Sequence, residues 1–221
     1  MDFKDAKERL RCAAINYDLN KNMLKDSPHK RVEDLAIVAR YKVSDNASFI
    51  VKNDMLERLG MSKNEAVEYA IKNSIKEGYT VKPMYEVINN LVGPIDNEMM
   101  GVMPPDPGMY IVSNDTVNGG AGIFVDRNLR AEVREIIGGD YYLLPSSIFE
   151  TIAISKDMAQ DYRMLETMVA EVNATQVAPT EVLSGSVYLV DQTLKIKQCG
   201  AERETVKESA VEQTSKHSMA I

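Results

Sequence analysis

The connections between the predicted strands are the feature that most restricts the fold. Apolar residues alternate with polar ones, or run together, at residues 109–113, 122–125, 187–190 and 194–197, which predicts strands there. The intervening stretches 113–122 and 190–194 are shorter than the dozen or more residues that a crossover between parallel strands needs. A mixed, largely antiparallel sheet covered by amphipathic helices is therefore predicted, which is an α+β fold.

Apolar residues recurring every three or four positions predict the helices that cover this sheet. The clearest is 63–76, where Ser62 and Glu65 form a capping box and Gly78 ends the helix. Further helices are predicted at 3–24, after Pro83, at 127–137 with Asp126 as its cap, and at about 159–173. The last is predicted to bury Met164, Leu165, Met168, Val169 and Val172. Period-two alternation adds strands at about 35–43, 48–52, 141–144 and 151–154.

Composition predicts one domain with a polar tail. Hydrophobic residues make up 44% of the 221 positions, enough for a sizeable core, and they are concentrated before residue 199. We therefore predict a single domain over residues 1–199, followed by a disordered tail over 200–221 that is rich in Glu, Lys, Ser and Thr.

The charge balance argues against broad binding to polyanionic partners. Lys and Arg number 26 against 33 Asp and Glu, giving a net charge of −7. Broad binding to nucleic acid or to an anionic membrane needs a basic surface, so neither is expected, although a small local basic patch is compatible with these counts.

The termini and cysteines bear on location. The first ten residues are charged throughout, so we expect no signal peptide, and no run of about 20 apolar residues could span a membrane. Cys12 and Cys199 are too few for a disulfide scaffold or a thiolate zinc site, and both are predicted to be small apolar residues in packed positions. A cytoplasmic protein without a cofactor or a metal is predicted.

The segment from Pro145 to Glu150 is the first candidate site, because it connects two predicted strands. Ser146 or Ser147 could act as a nucleophile with Glu150 as partner, but serine chemistry usually needs a histidine base. The chain has only His29 and His217, in polar surroundings. We favour a turn in which the serine hydroxyls bond backbone groups.

The glycine-rich segment 114–120, with Asp115, is the second candidate. A phosphate-binding loop would need a following helix N-terminus or a lysine motif, whereas a strand is predicted to follow. A hairpin loop in which Asn118-Gly119 adopts positive φ is favoured. Five carboxylates could also converge on a metal for hydrolysis, although their spacing is not diagnostic: Glu33, Asp34, Asp115, Asp126 and Glu150.

The segment 93–108 is predicted to be a loop because it is rich in proline and glycine. It carries Met99, Met100 and Met103, and methionine suits a surface that repacks around a partner. The leading hypothesis is therefore a non-catalytic binding or protein-interaction domain with a protein partner. The alternative is a hydrolase, metal-assisted or serine-based, built from the 114–120 and 145–150 loops, and a homo-oligomer is a third prediction.

The order of these segments resembles an uncharacterised bacterial family, found mainly in Firmicutes and known as a domain of unknown function. The matching stretches cover roughly residues 10 to 190 and include L-L-P-S-S-I-x-E at 143–150 and L-x-x-M-V-x-x-V-N at 165–173. Shorter matches lie at 30–37, 66–73, 109–114, 120–122 and 183–188. The family often has a histidine where this chain has Phe149. The resemblance implies a fold but no activity.

Overall fold

Two antiparallel β-sheets and the helices packed on them form the protein. The computed structural model describes residues 6–44, 47–92, 108–114, 120–145, 147–159 and 161–200. The α+β class predicted from the sequence is confirmed, and the strands are divided between two sheets. Within the described ranges every strand pairing is antiparallel.

The first sheet is built around one long strand. Its strands are β1 (Leu10–Asn16), β2 (His29–Val32), β3 (Leu35–Ser44) and β4 (Ala47–Ile50). β1 pairs with one edge of β3, whereas β2 and β4 follow each other along the opposite edge. The first five residues of β3 are buried, so both faces of the sheet are covered at that end. Beyond them, Arg40 is half-buried, and one face of the sheet opens to solvent.

The second sheet has the strand order β10-β9-β7-β8-β6-β5. These strands are β5 (Tyr79–Pro83), β6 (Met109–Asn114), β7 (Tyr141–Leu144), β8 (Glu150–Ser155), β9 (Tyr188–Val190) and β10 (Ile196–Gln198). β9 and β10 form the predicted terminal hairpin, whose turn includes Asp191.

The helices are α1 (Lys21–Leu24), α2 (Asn53–Leu59), α3 (Lys63–Glu77), α4 (Met84–Val92), α5 (Arg127–Ile137) and α6 (Tyr162–Thr175). Two short 3-10 helices are Ala6–Arg9 and Gly120–Val125. The capping box of Ser62 and Glu65 starts α3 as predicted. No helix in the described ranges has the length and apolar character that crossing a membrane requires.

A large apolar core cluster is shared by both sheets. It contains Leu10, Cys12 and Ile37 from the first sheet and Val112, Leu143 and Tyr188 from the second, together with residues of α3, α5 and the second 3-10 helix. The Ser74 hydroxyl of α3 accepts a hydrogen bond from the Cys12 backbone N–H at 2.9 Å, which holds the helix against β1. A smaller cluster lies beneath α6, and a third lies on the outer face of the first sheet.

Two predicted elements are wrong for the same physical reason. Residues 10–16 form β1 rather than part of a helix over 3–24, and residues 120–125 form a 3-10 helix rather than a strand. Both segments have a run of buried apolar residues. A run that is covered on all sides is compatible with the periodicity of a helix and with that of a strand, so the pattern does not distinguish them. The hairpin predicted across 113–122 is wrong too, because β6 pairs with β5 and β8.

The methionines of α6 also differ from their prediction. Leu165 and Val169 are buried as expected, but Met164 is 66% exposed and Met168 is 48% exposed. The apolar stripe of this helix is narrower than its sequence suggests, because only one row of side chains faces the second sheet.

Candidate functional site

The connection between β7 and β8 contains the first predicted catalytic residues. The Ser147 hydroxyl accepts a hydrogen bond from the Phe149 backbone N–H at 3.1 Å. The Ile148 N–H donates to the Glu181 carbonyl at 3.1 Å, which ties the loop to the chain after α6. This is the favoured turn arrangement, in which a serine hydroxyl bonds a backbone group two residues on. Ser146 lies outside the described residues, so its predicted role is untested.

Glu150 is the first residue of β8 and lies opposite Ser113 of β6. Burial raises the pKa of its carboxyl, a property that general acids share. The Ser113 hydroxyl donates to the Phe149 carbonyl at 3.0 Å, so its contact with this loop is structural. His29, one of the two histidines that could serve as a base, lies on β2 with its Nδ1 2.9 Å from the Ser27 carbonyl.

The glycine-rich segment after β6 is only partly described, since Asp115 lies outside the described residues. Gly122 has a packing reason to be glycine. A Cβ at this position would lie 3.0 Å from backbone atoms of Ala13 in β1, closer than real Cβ atoms normally approach. Glycine therefore lets the 3-10 helix touch the β1 backbone, which explains this glycine without a phosphate.

The remaining predicted carboxylates have separate structural roles. Asp126 caps α5 as predicted, its carboxylate accepting from the Asn128 and Leu129 N–H groups at 2.9 Å each. Glu33 occupies the turn between β2 and β3 with a left-handed φ of 55°. Within the described ranges no three histidine, cysteine, aspartate or glutamate side chains are grouped so as to hold a metal.

Asp34 is the centre of a polar cluster that the sequence did not reveal. Its carboxylate accepts hydrogen bonds from the Ser184 hydroxyl at 2.7 Å and the Ser186 hydroxyl at 3.3 Å. The Tyr188 hydroxyl donates to the other oxygen. We call these four residues the Asp34 clasp. It joins the β2–β3 turn of the first sheet to β9 of the second, and Ser184 is too buried, at 1% exposed, to meet a substrate.

The electrostatics of the Asp34 clasp favour a neutral phenol. Burial, followed by the negative charge of Asp34, raises the pKa of Tyr188 far above its usual value. The phenol therefore keeps its proton at neutral pH and donates a hydrogen bond to Asp34. The clasp is a hydrogen-bonded, partly buried polar network, so it adds specificity to the packing of the two sheets.

A concave site opens on the outer face of the first sheet. It lies between β1, β3, β4 and the connection from β7 to β8, which we call the Ile148 loop. We call the whole site the Arg40 cleft, and its volume is about 170 Å³. Its lining consists of Ala13, Ala14, Ile15, Val38, Arg40, Ser48, Phe49, Ile50 and Ile148. Among the described residues of the predicted catalytic segment, which exclude Ser146, Ile148 alone contributes to this lining.

The Arg40 guanidinium is the main polar group of the cleft. It forms no ion pair and no hydrogen bond within the described part of the chain. Burial lowers the pKa of this guanidinium, although arginine stays charged at neutral pH. On the neighbouring strand Arg11 lies opposite Arg40, but it pairs with Glu77 at 2.5 Å. Lys42 shares the same carboxylate at 3.3 Å, so Glu77 is engaged by these two cations.

The sequence contained a sign of this site. The strand prediction places Val38, Arg40 and Lys42 on the same face, and a cation directly after buried residues on one face is unusual. The strand predicted at about 48–52 corresponds to β4, but the lining from β1 does not follow from the sequence, because the pattern over residues 3–24 predicts a helix. The contribution of Ile148 depends on contacts that are distant in sequence.

The comparisons with known proteins agree with the resemblance described above. No curated protein matches the chain, and no solved structure matches it. A family model matches residues 1–192, which is most of the chain, and its description is Family of unknown function (DUF5688). The predicted relationship to an uncharacterised domain family is confirmed: the chain belongs to the family of unknown function DUF5688.

Proposed function

We propose that the chain is a non-catalytic binding domain and that the Arg40 cleft is its ligand site. The observation that supports this most directly is the half-buried Arg40 guanidinium, which has no partner within the described residues. Binding sites are concave and mostly apolar with a few polar groups that fix orientation. The Arg40 cleft has that composition.

A ligand with a negative charge would satisfy Arg40. Half-burial removes part of the water from the guanidinium, and a charge that loses hydration without gaining a partner costs free energy. An anion in the cleft would replace the lost hydration, and a hydrogen bond to a charged group contributes about 1.5–3 kcal/mol. The unliganded protein therefore has a local energetic reason to bind an anion.

The same cleft is poorly equipped for proton transfer. Within its described lining only Arg40 and Ser48 have polar side chains. An arginine retains its proton, and a serine hydroxyl needs a neighbouring base to become a nucleophile. Binding is therefore favoured over catalysis at this site.

A screen of small charged and neutral compounds against the full chain, by ligand-observed NMR, tests this function. Hits should be anionic and should bind Arg40→Met at least about tenfold more weakly than wild type, since about 1.4 kcal/mol corresponds to tenfold. Arg163→Met is the matched control, because Arg163 is an exposed cation on α6 and its loss changes the net charge equally. Hits that bind Arg40→Met as well as wild type would contradict the proposal.

The hydrolase alternative remains a separate proposal, and the raised pKa of Glu150 is the observation that favours it. A screen for esterase, phosphodiesterase and nuclease activity, with divalent metals present, tests it. Activity that disappears in Asp115→Ala, Ser146→Ala, Ser147→Ala or Glu150→Ala would support a hydrolase. A clean negative screen would count against it.

A protein partner is also proposed, through the methionines of the 93–108 segment. Met99, Met100 and Met103 lie outside the described residues, so the proposal rests on their composition. Deleting residues 95 to 105 should abolish partner capture in a pull-down while leaving the thermal unfolding transition in place. Unchanged capture would exclude this segment.

Location and domain organisation are proposed on structural grounds. Both cysteines are free, and burial raises the pKa of each thiol to about 11, so neither is a reactive thiolate. Free thiols are compatible with a reducing cytoplasm. The shared core and the Asp34 clasp support a single domain over residues 1–199.

A further inference from the structure

The Arg40 cleft offers hydrogen-bond donors on one side. A guanidinium presents N–H groups in a planar fork, and the Ser48 hydroxyl can donate as well. The fork matches the two oxygens of a carboxylate, which it binds through parallel hydrogen bonds. A ligand that enters this cleft therefore needs acceptor oxygens facing Arg40.

The charge of the cleft favours a carboxylate over a phosphate. A phosphate monoester carries about −1.5 to −2 charge and three acceptor oxygens at neutral pH. The described lining contains one guanidinium, which would neutralise only part of the phosphate charge. The remaining negative charge would lie against apolar side chains, and its loss of hydration would cost free energy. A carboxylate carries a single negative charge, which one arginine balances.

The size and walls of the cleft define the rest of the ligand. Its volume is about 170 Å³, and an apolar cavity of roughly 150 Å³ is known to hold benzene. The lining around Arg40 consists mainly of alkyl side chains, such as Val38, Ile148 and Ile50, the cross-strand neighbour of Arg40. The Phe49 ring stacks on Tyr41 on the other face of the sheet. Aliphatic or aromatic groups of the ligand would bury apolar surface against the alkyl side chains.

We propose that the ligand of the Arg40 cleft is a small monocarboxylate whose apolar body has about six carbon atoms, the size that the cleft volume accommodates. Benzoate and short branched-chain fatty acids belong to this class. The inference rests on the binding function proposed above and names the ligand chemistry. The carboxylate pairs with Arg40 while the apolar body lies between the first sheet and the Ile148 loop.

Calorimetric titration of the full chain with a series of probes tests the ligand class. Affinity should rise from acetate to 3-methylbutanoate and benzoate by about fourfold for each buried methylene or its equivalent. It should fall again for 2-naphthoate, which exceeds the cleft. Benzamide, the uncharged counterpart of benzoate, should bind at least about tenfold more weakly, and inorganic phosphate more weakly than benzoate.

Three substitutions test whether benzoate binds in the Arg40 cleft. Arg40→Met should weaken benzoate binding at least about tenfold, and Arg163→Met should leave it unchanged. Arg40→Lys retains a charge but loses the planar fork, so its affinity should lie between wild type and Arg40→Met. The thermal unfolding temperature of each variant is the control for folding, and the comparison of benzoate with benzamide needs no variant.

The outcomes separate this inference from the proposed function. Equal binding of benzamide and benzoate, or affinity independent of the apolar body, would overturn the monocarboxylate class. Tighter binding of phosphate than of benzoate, lost in Arg40→Met, would refute the class but support the binding function. Failure of all anionic probes, together with hits that are insensitive to Arg40→Met, would refute both.

Discussion

Replacing Tyr188 by phenylalanine tests how strongly the Asp34 clasp stabilises the fold. The change removes one hydroxyl and retains the ring, which is 1% exposed, so the core loses almost no apolar contact. The hydroxyl donates to the Asp34 carboxylate and also lies 2.9 Å from the Ser184 hydroxyl, and a hydrogen bond to a charged group contributes about 1.5–3 kcal/mol. Asp34 keeps the two serine hydroxyls as donors. The free energy of unfolding should therefore fall by about 2 kcal/mol, near the middle of that range.

Urea unfolding followed by far-UV circular dichroism measures this loss. With a slope of about 2 kcal/mol per molar, typical for small proteins, the midpoint should fall by about 1 M at an unchanged slope. Tyr41→Phe is the matched control. Tyr41 is 3% exposed, and its hydroxyl forms no hydrogen bond within the described part of the chain. That variant should change the free energy by less than about 0.5 kcal/mol.

Two results would refute the reasoning. The first is a Tyr188→Phe effect no larger than that of Tyr41→Phe, which would mean that the hydroxyl contributes nothing net. The second is strict additivity of Tyr188→Phe with Asp34→Asn. Residues that share a hydrogen bond should instead show a coupling free energy of about 1 kcal/mol or more in a double-mutant cycle.

Three further predictions concern the rest of the fold. Gly122→Ala would place a Cβ 3.0 Å from the β1 backbone, so it should lower stability by about 1–3 kcal/mol in thermal unfolding. Gly139→Ala, with open space around the added atom, should not. Asp126→Ala removes the α5 cap and should lower the free energy of unfolding by about 1 kcal/mol, measured by urea unfolding. An unchanged free energy would mean that water replaces the cap. Burial raises the pKa of Tyr141 and Tyr188, so the unfolded chain loses these protons first and stability should fall above pH of about 10. Urea titrations from neutral to alkaline pH measure this, and a flat profile would contradict it.

The fold was predictable where local signals and tertiary packing agreed. The start of α3 follows from Ser62 and Glu65, because a capping box needs only residues within one turn. β1 was not predictable in the same way. Its buried residues contact β3, α3 and the second 3-10 helix, so its apolar run reflects surroundings that lie far away in sequence.

The candidate site was predicted only in part. The Ser147 turn follows from local chemistry and was foreseen. The Arg40 cleft combines β1, β4 and the Ile148 loop, and the Asp34 clasp joins residues that no local pattern connects. Long-range contacts of this kind depend on sheet pairing, which short segments do not specify.

The Asp34 clasp also constrains the order of events during synthesis of the chain. Asp34 and Tyr188 are separated by 154 positions. At about 5–20 residues per second, a ribosome needs roughly 8–30 s to add the tyrosine after the aspartate. The strands of the first sheet are complete by Ile50. The hydroxyl groups that donate to Asp34, in the turn between β2 and β3, are synthesised only after this interval. The nascent first sheet therefore exposes a carboxylate and a core face together, and it becomes a finished structure only when nearly the whole domain has left the ribosome.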